Sequence, residues 1–107
     1  EAAFQENAQI TVVIDNNGGL TTISQQQERL FGHDRHVATD FRDIPFHTLF
    51  EGLGGHGELV ETAGELEPAL RRALDSGKTA CVNVRTRGVI SPIVLATTSK
   101  RDKASIE

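Results

Sequence analysis

Asn16-Asn17-Gly18-Gly19 follows directly on the run Ile10-Thr11-Val12-Val13-Ile14-Asp15. A β-branched run that ends in two amides and two glycines reads as a buried strand. It delivers polar oxygens and a freely turning backbone to the carboxyl edge of a sheet, which is where open α/β sheets bind ligands. Asn-Gly more often marks a simple turn, so that reading stands beside the functional one. Thr21 and Thr22 come next, at the start of a helical pattern. A helix N-terminus favours anions, and helix capping selects Thr equally well.

The other polar candidates carry less. Alternation along the strand points Asp15 away from the side of Asn16, so it reads as a strand-end residue. His33 and His36 have a metal-like spacing. They sit in a polar loop with no Cys and no further carboxylate cluster at a fixed offset, which reads as surface rather than a zinc site. His47 falls on the polar side of an amphipathic helix and is expected in solvent. His56, flanked by Gly54, Gly55 and Gly57, is expected in a turn. No Ser/His/Asp or paired-carboxylate constellation is present.

The elements that must position the tetrad follow from periodicity. Glu1 to about Asn7 reads as the last turns of a helix, with no cap signal ahead of it. A strand over Ile10 to Ile14 follows. Leu20, Ile23, Gln27 and Leu30 give a helix over Thr21 to about Leu30 with a weak apolar stripe, and 31–42 reads as a loop. Asp43-Ile44-Pro45 starts a helix that places Phe46, Leu49, Phe50 and Leu53 on one face, and Gly54-Gly55 stops it. Glu58 to Glu61 reads as a short strand. Thr62-Ala63-Gly64-Glu65 matches a capping box. The helix after it is expected to bury Leu66, Ala69, Leu70, Ala73 and Leu74, with a first turn loosened by Pro68. Thr79 to Val84 is the last strand. The tail, 86–107, is expected to lie extended. Alternating strand and helix signals make the fold class α/β, with a mostly parallel sheet flanked by helices.

Composition excludes several functions. One domain is what 107 residues allow. A net charge of −4 without a Lys/Arg cluster argues against a nucleic-acid surface. No apolar run is long enough for a transmembrane helix. Cys81, the only cysteine, lies in an apolar run and is expected to be a buried small hydrophobe, which fits a reducing cytoplasm.

The stretches "ITVVIDNNGGLTTISQQQERLFGHDRHVATDF", "LFEGLGGHGELVETAGELEPALRRAL" and "KTACVNVRT" resemble thiamine-diphosphate-dependent enzymes. The resemblance is to the C-terminal part of their diphosphate-binding domain, in the acetolactate synthase and benzoylformate decarboxylase branch. It covers 1–85, leaving 86–107 as a tail. It implies an incomplete three-layer domain, with thiamine diphosphate and Mg2+ as cofactors. Asn17, Gly18, Gly19, Leu20, Thr21 and Thr22 would lie at the cofactor. Asn17 would give the metal its side-chain oxygen and Gly19 its backbone carbonyl, while Asn16 would hydrogen-bond the loop. The family's Gly-Asp-Gly, whose Asp completes the metal shell, does not occur in the 107 residues. The resemblance therefore implies a piece of a larger 2-oxo acid decarboxylase or carboligase, inactive when isolated. Its partners would be the remaining domains, a homo-dimer or tetramer, and a small 2-oxo acid substrate. The glutamate that activates the cofactor's aminopyrimidine would lie on a neighbouring subunit. Two other readings stay open: a non-catalytic α/β interaction or regulatory module, and the small diphosphate-binding subunit of a two-chain decarboxylase. Gln26 falls where the biosynthetic synthases of this family carry a tryptophan, which implies a smaller, more polar acceptor wall and a different 2-oxo acid.

Overall fold

Val, Ile and Thr at successive positions favour extended backbone because two heavy atoms on Cβ pack well on a pleated surface. The computed structural model describes the backbone of residues 1–104 and the side chains of residues 1–98. The chain forms two compact units, the first from Glu1–Asn16 and Ile44–Thr86, the second from Asn17–Asp43 and the stretch beginning at Arg87.

In the first unit a short helix α1 (Ala2–Gln5) precedes strand β1 (Thr11–Asn16). Helix α3 (Phe46–Gly52), strand β2 (His56–Val60), helix α4 (Leu66–Asp75) and strand β3 (Ala80–Arg85) complete it, while helix α2 (Thr21–Phe31) belongs to the second unit. The sheet is entirely parallel with β3 in the centre, in the order β1-β3-β2. Val13 aligns with Val82, Ile14 with Asn83, and Leu59 with Asn83 on the other side. The parallel pairing expected of the first and last strands is what the structure has.

Side-chain alternation assigns each sheet face to a helix. Val60, Ala80 and Val82 pack with Ala69 and Ala73 of α4 in one core cluster. Asn83, on the opposite face, meets α3: its Nδ2 lies 3.3 Å from His47 Nδ1 and donates to Ile44 O at 3.5 Å. The result is a small α/β sandwich with a helix on either face. The apolar face of α3 is only partly covered, since Phe46 and Phe50 are half-buried while Leu49 and Leu53 are exposed. Phe4 of α1 packs edge-on against Phe50 at 5.9 Å.

Several local expectations need correction. β1 starts one residue late and runs on to Asn16, because β3 pairs with it as far as Arg85. β2 begins at His56, so that residue is in a strand rather than a turn, and it bonds Glu58 at 2.9 Å. His47 faces buried Asn83 instead of solvent. Leu74 is 69% exposed; in this unit α4 covers the sheet with Ala69 and Ala73, which permit close approach. The capping box is present, with Glu65 accepting from the backbone N–H of Glu61 at 2.8 Å and Thr62 at 3.1 Å. The turn it opens is a 3-10 turn (Ala63–Glu65), the loosened start expected from Pro68, after which Pro68 sits in the first turn of α4 where no N–H is missed.

In the second unit, helix α2 (Thr21–Phe31) packs against helix α5 (Pro92–Ala104). The expected extended tail is therefore wrong over 92–104, while 105–107 lie outside the described residues. Two polar ties explain the docking. Gln25 donates to Val89 O at 2.7 Å and accepts from Ser91 N–H at 3.0 Å. Arg29 Nε donates to Thr98 Oγ1 at 2.6 Å, and Val94 is fully buried. Among the described residues no helix is long and apolar enough to cross a membrane.

Acid should weaken the first unit. Arg72, pairing with Glu58 at 2.7 Å, is the main cause that holds that carboxyl below its ordinary 4.5. The N–H groups of Glu61 and Thr62 do the same for Glu65. A carboxyl depressed by folding contributes stability above its unfolded value, and loses it as pH falls through the folded one. The melting temperature is expected to drop as pH falls below about 4.5, and to drop less in the double variant Glu58→Gln, Glu65→Gln. Equal acid losses in thermal melts of the two proteins would refute the assignment.

Candidate functional site

The tetrad begins where β1 stops. Asn16, the last strand residue, is half-buried in the first unit, and its Nδ2 donates to Ile44 O at 3.4 Å. Asp15 is exposed and accepts a hydrogen bond from the Thr86 hydroxyl, a strand-end role. From Asn17 onward the chain belongs to the second unit. There it makes a turn that leads straight into α2, so Asn17, Gly18, Gly19, Leu20, Thr21 and Thr22 form one continuous edge.

That turn is built against a second segment. Gly18 adopts φ +84°, which a side chain would strain. Its carbonyl accepts from Phe41 N–H at 2.8 Å, and Leu20 N–H donates to Thr39 O at 2.7 Å. Gly19 lies opposite Asp40 in an isolated antiparallel bridge. A Cβ at Gly19 would overlap Thr39 O and lie 3.3 Å from Asp40 Cα, so glycine is required there for close approach. Thr39 is 3% exposed.

The distribution of hydrogen bonds along the turn is uneven. Gly18 O is taken by Phe41, and Leu20 O accepts from both Ile23 and Ser24. Among the described residues, neither the Asn17 side chain nor the Gly19 carbonyl has a hydrogen-bond partner. Leu20 caps α2 without a side-chain bond, and the Thr21 and Thr22 N–H groups are likewise unpaired among the described residues. Neither threonine is the cap; they are the first two helical residues, and Ser24 Oγ donates back to Thr21 O at 3.0 Å. The edge thus presents an amide oxygen, a carbonyl and two N–H donors without a charged group of its own. Hard-oxygen donors of this kind suit magnesium, and free N–H groups at a helix start suit a phosphate.

A family profile described as "Thiamine pyrophosphate enzyme, C-terminal TPP binding domain" matches residues 1–84. The chain belongs to this family. It is 40% identical over 87 residues to a probable acetolactate synthase of Mycobacterium bovis, and equally to the acetolactate synthase large subunit IlvG of Mycobacterium tuberculosis. Each alignment covers 80% of the chain and 16% of the relative. A 2-hydroxyacyl-CoA lyase of Arabidopsis thaliana is 31% identical over 88 residues, covering 78% of the chain and 15% of the relative. The chain therefore spans about a sixth of the length of these relatives. Thiamine pyrophosphate, the same compound as thiamine diphosphate, is the ligand for which the family is named, and the donor set of the turn fits a diphosphate with its metal.

Sequence reasoning missed the second segment. Thr39, Asp40 and Phe41 lie some twenty residues beyond the tetrad, in a stretch without periodicity, and no local signal marks them. It also placed His36 simply at the surface. His36 is half-buried and stands 2.8 Å from Asp40 and 2.9 Å from Glu28. His33 is exposed beside Asp34. With Glu28 these two bring a ligand atom each within 4.8 Å of one another, a solvated group without a buried donor. Cys81 is buried as expected, and desolvation pushes its thiol up to about 11, which makes it inert at neutral pH.

Proposed function

We propose that this chain is part of a thiamine-diphosphate- and Mg2+-dependent 2-oxo acid decarboxylase or carboligase of the acetolactate synthase type, a lyase or transferase working in the cytoplasm. It contributes half of the metal-diphosphate anchor. The observation that carries this reading is the pair of oxygens without a partner among the described residues, Asn17 Oδ1 and Gly19 O, on a turn whose Gly18 and Leu20 carbonyls are already bonded. Asn17 and Gly19 are the metal ligands in this reading, and the Thr21 and Thr22 N–H groups receive the diphosphate. When bound, thiamine diphosphate supplies the carbanion chemistry. The residues of this chain hold and orient it, and no residue among the described ones is assigned to proton transfer.

A neutral half-shell has a thermodynamic consequence. Magnesium sheds water reluctantly and gains little from an amide and a carbonyl without a carboxylate. The 107-residue chain alone is expected to bind magnesium and thiamine diphosphate weakly and to release no carbon dioxide from 2-oxo acids. The whole protein, with an acidic ligand supplied from outside this segment, is expected to do both. Calorimetric titration of both proteins tests the pair: micromolar affinity for the 107-residue chain, or none for the whole protein, would overturn the proposal.

Gln26 narrows the substrate. It lines a recess of about 180 Å³ with Leu30, Thr97 and Thr98. The half-buried amide shares that recess with two threonines, a polar lining where an aromatic ring would give an apolar one. We propose an acceptor other than 2-oxobutyrate, and a more polar one. Efficient condensation of pyruvate with 2-oxobutyrate by the whole protein, with clear preference for 2-oxobutyrate, would refute this.

A further inference from the structure

The segment that backs the Gly18–Leu20 turn is tied to α2 through one imidazole. His36 Nε2 and Asp40 Oδ2 are hydrogen-bonded at 2.8 Å. On the other side of the ring, Nδ1 lies 2.9 Å from Glu28 Oε1 of α2, an ion-pair contact that misses hydrogen-bond alignment. Glu28 and Asp40 are the charged groups within ion-pair distance of the ring among the described residues, and Asp34 is paired with His33 instead. Val37 N–H adds a neutral tie to Gln27 Oε1 at 3.1 Å. The path then closes on itself. Asp40 lies opposite Gly19, Thr39 O holds Leu20 N–H, Gly18 O holds Phe41 N–H, and Leu20 begins α2.

The backbone of this segment does not rest easily. Ala38 has φ +58° and Asp34 φ +57°, a region that non-glycine residues seldom occupy unless their surroundings hold them there. Side-chain ties from His36 and Gln27 add to the backbone bonds of Arg35, Thr39 and Phe41 for that purpose. A charged imidazole donates from both nitrogens and serves two carboxylates at once. A neutral one donates from a single nitrogen and turns a lone pair toward the other carboxylate.

We propose that His36 is a positioning residue for the cofactor turn: as an imidazolium bridging Glu28 and Asp40 it holds 37–41 against Gly18–Leu20, and in its neutral form it releases them. This rests on the reading that Gly19 offers its carbonyl to the cofactor's metal, since only then does the turn's position matter to function. The hydrogen bond that the ring makes to Asp40 is the main cause raising the imidazole above its ordinary 6.5, with burial opposing and Glu28 assisting. A group raised by folding contributes fully below its unfolded value and stops contributing as pH rises through the folded one. The clamp is therefore closed below about pH 6.5 and opens as pH rises above it, through the raised value.

Amide hydrogen exchange of the 107-residue chain tests this without any cofactor. The Leu20 and Phe41 amides report the two bonds of the turn, and Val82 in β3 serves as the control. Protection factors at Leu20 and Phe41 are expected to fall roughly two- to fivefold between pH 6 and pH 8.5, the range for a partly exposed charge pair, while Val82 stays constant. His36→Gln should show the low protection at both pH values, and His36→Lys, charged throughout, should restore it and remove the pH dependence. Flat protection in the natural chain, or a His36→Gln variant protected like it, would overturn the proposal. Adding magnesium and thiamine diphosphate to the whole protein separates the two readings. A pH-dependent clamp with no response of the Gly19 amide to the cofactor would leave the clamp standing and remove the cofactor reading.

Discussion

Asn17→Ala is expected to weaken cofactor retention by the whole protein by roughly a hundredfold or more, at or above the top of the range for contacts that support a metal ligand, and Asn16→Ala by about tenfold or less, the worth of one hydrogen bond. The asymmetry follows from where the two amides spend their hydrogen bonds. Asn16 Nδ2 is directed to Ile44 O inside the first unit, so its removal loses a supporting bond and leaves one carbonyl less satisfied. Asn17 has no such partner among the described residues, and its oxygen is free for a ligand. Removing it takes away an unbonded side-chain oxygen that this turn offers a cation. Dissociation constants for thiamine diphosphate at fixed magnesium, measured by calorimetry on both variants, decide the matter. Equal values would reject Asn17 as the ligand. Melting temperatures measured on the same samples would show that neither variant had simply unfolded.

Gly57→Ala should be the most damaging small substitution in the first unit. Gly57 lies in β2 under α3, and a methyl there would overlap the His47 carbonyl oxygen, with the carbonyl carbon at 2.9 Å and Glu51 Oε1 at 2.8 Å. The Glu51 side chain can swing away. The His47 carbonyl is helix backbone, so α3 itself would have to rise off the sheet. Ordinary overpacking costs about 1–3 kcal/mol, and separating α3 from β2 and β3 adds the loss of the contact between His47 and Asn83. Asn83 is 1% exposed and its Oδ1 already lacks a partner among the described residues, which leaves little tolerance for losing the Nδ2 bonds as well. At several degrees per kcal/mol for a domain of this size, the melting temperature is expected to fall by about 10 °C or more. Gly64→Ala is the control, since its Cβ would meet nothing within 4 Å. Similar melting temperatures for the two variants would show that the close approach of α3 is not required.

What the sequence determined by itself is local. The run from Thr11 to Asn16 is a strand because β-branched side chains leave little else. Thr62 and Glu65 form their capping box because both partners lie within one turn. Gly54 ends α3 in the left-handed region at φ +90° because only glycine does so without strain. The tail reads as extended over 86–107, although the start of its helix carries a local signal. Ser91-Pro92 is a cap followed by a first-turn proline, and Ser91 Oγ accepts from Ile93 N–H at 3.3 Å. The exposed Val89, Ile90 and Ile93 obscured the period that would have marked it. What only the tertiary structure decided are pairings between residues far apart in the chain. No rule of spacing brings Gln25 to Ser91 or Thr39 to Leu20, and none seats His47 beside Asn83 or His36 between Glu28 and Asp40. Each is a polar group whose hydrogen-bond partner is chosen by packing. The candidate site divides the same way: the sequence places the oxygens of Asn17 and Gly19 after the strand, and the fold leaves them without a hydrogen-bond partner among the described residues.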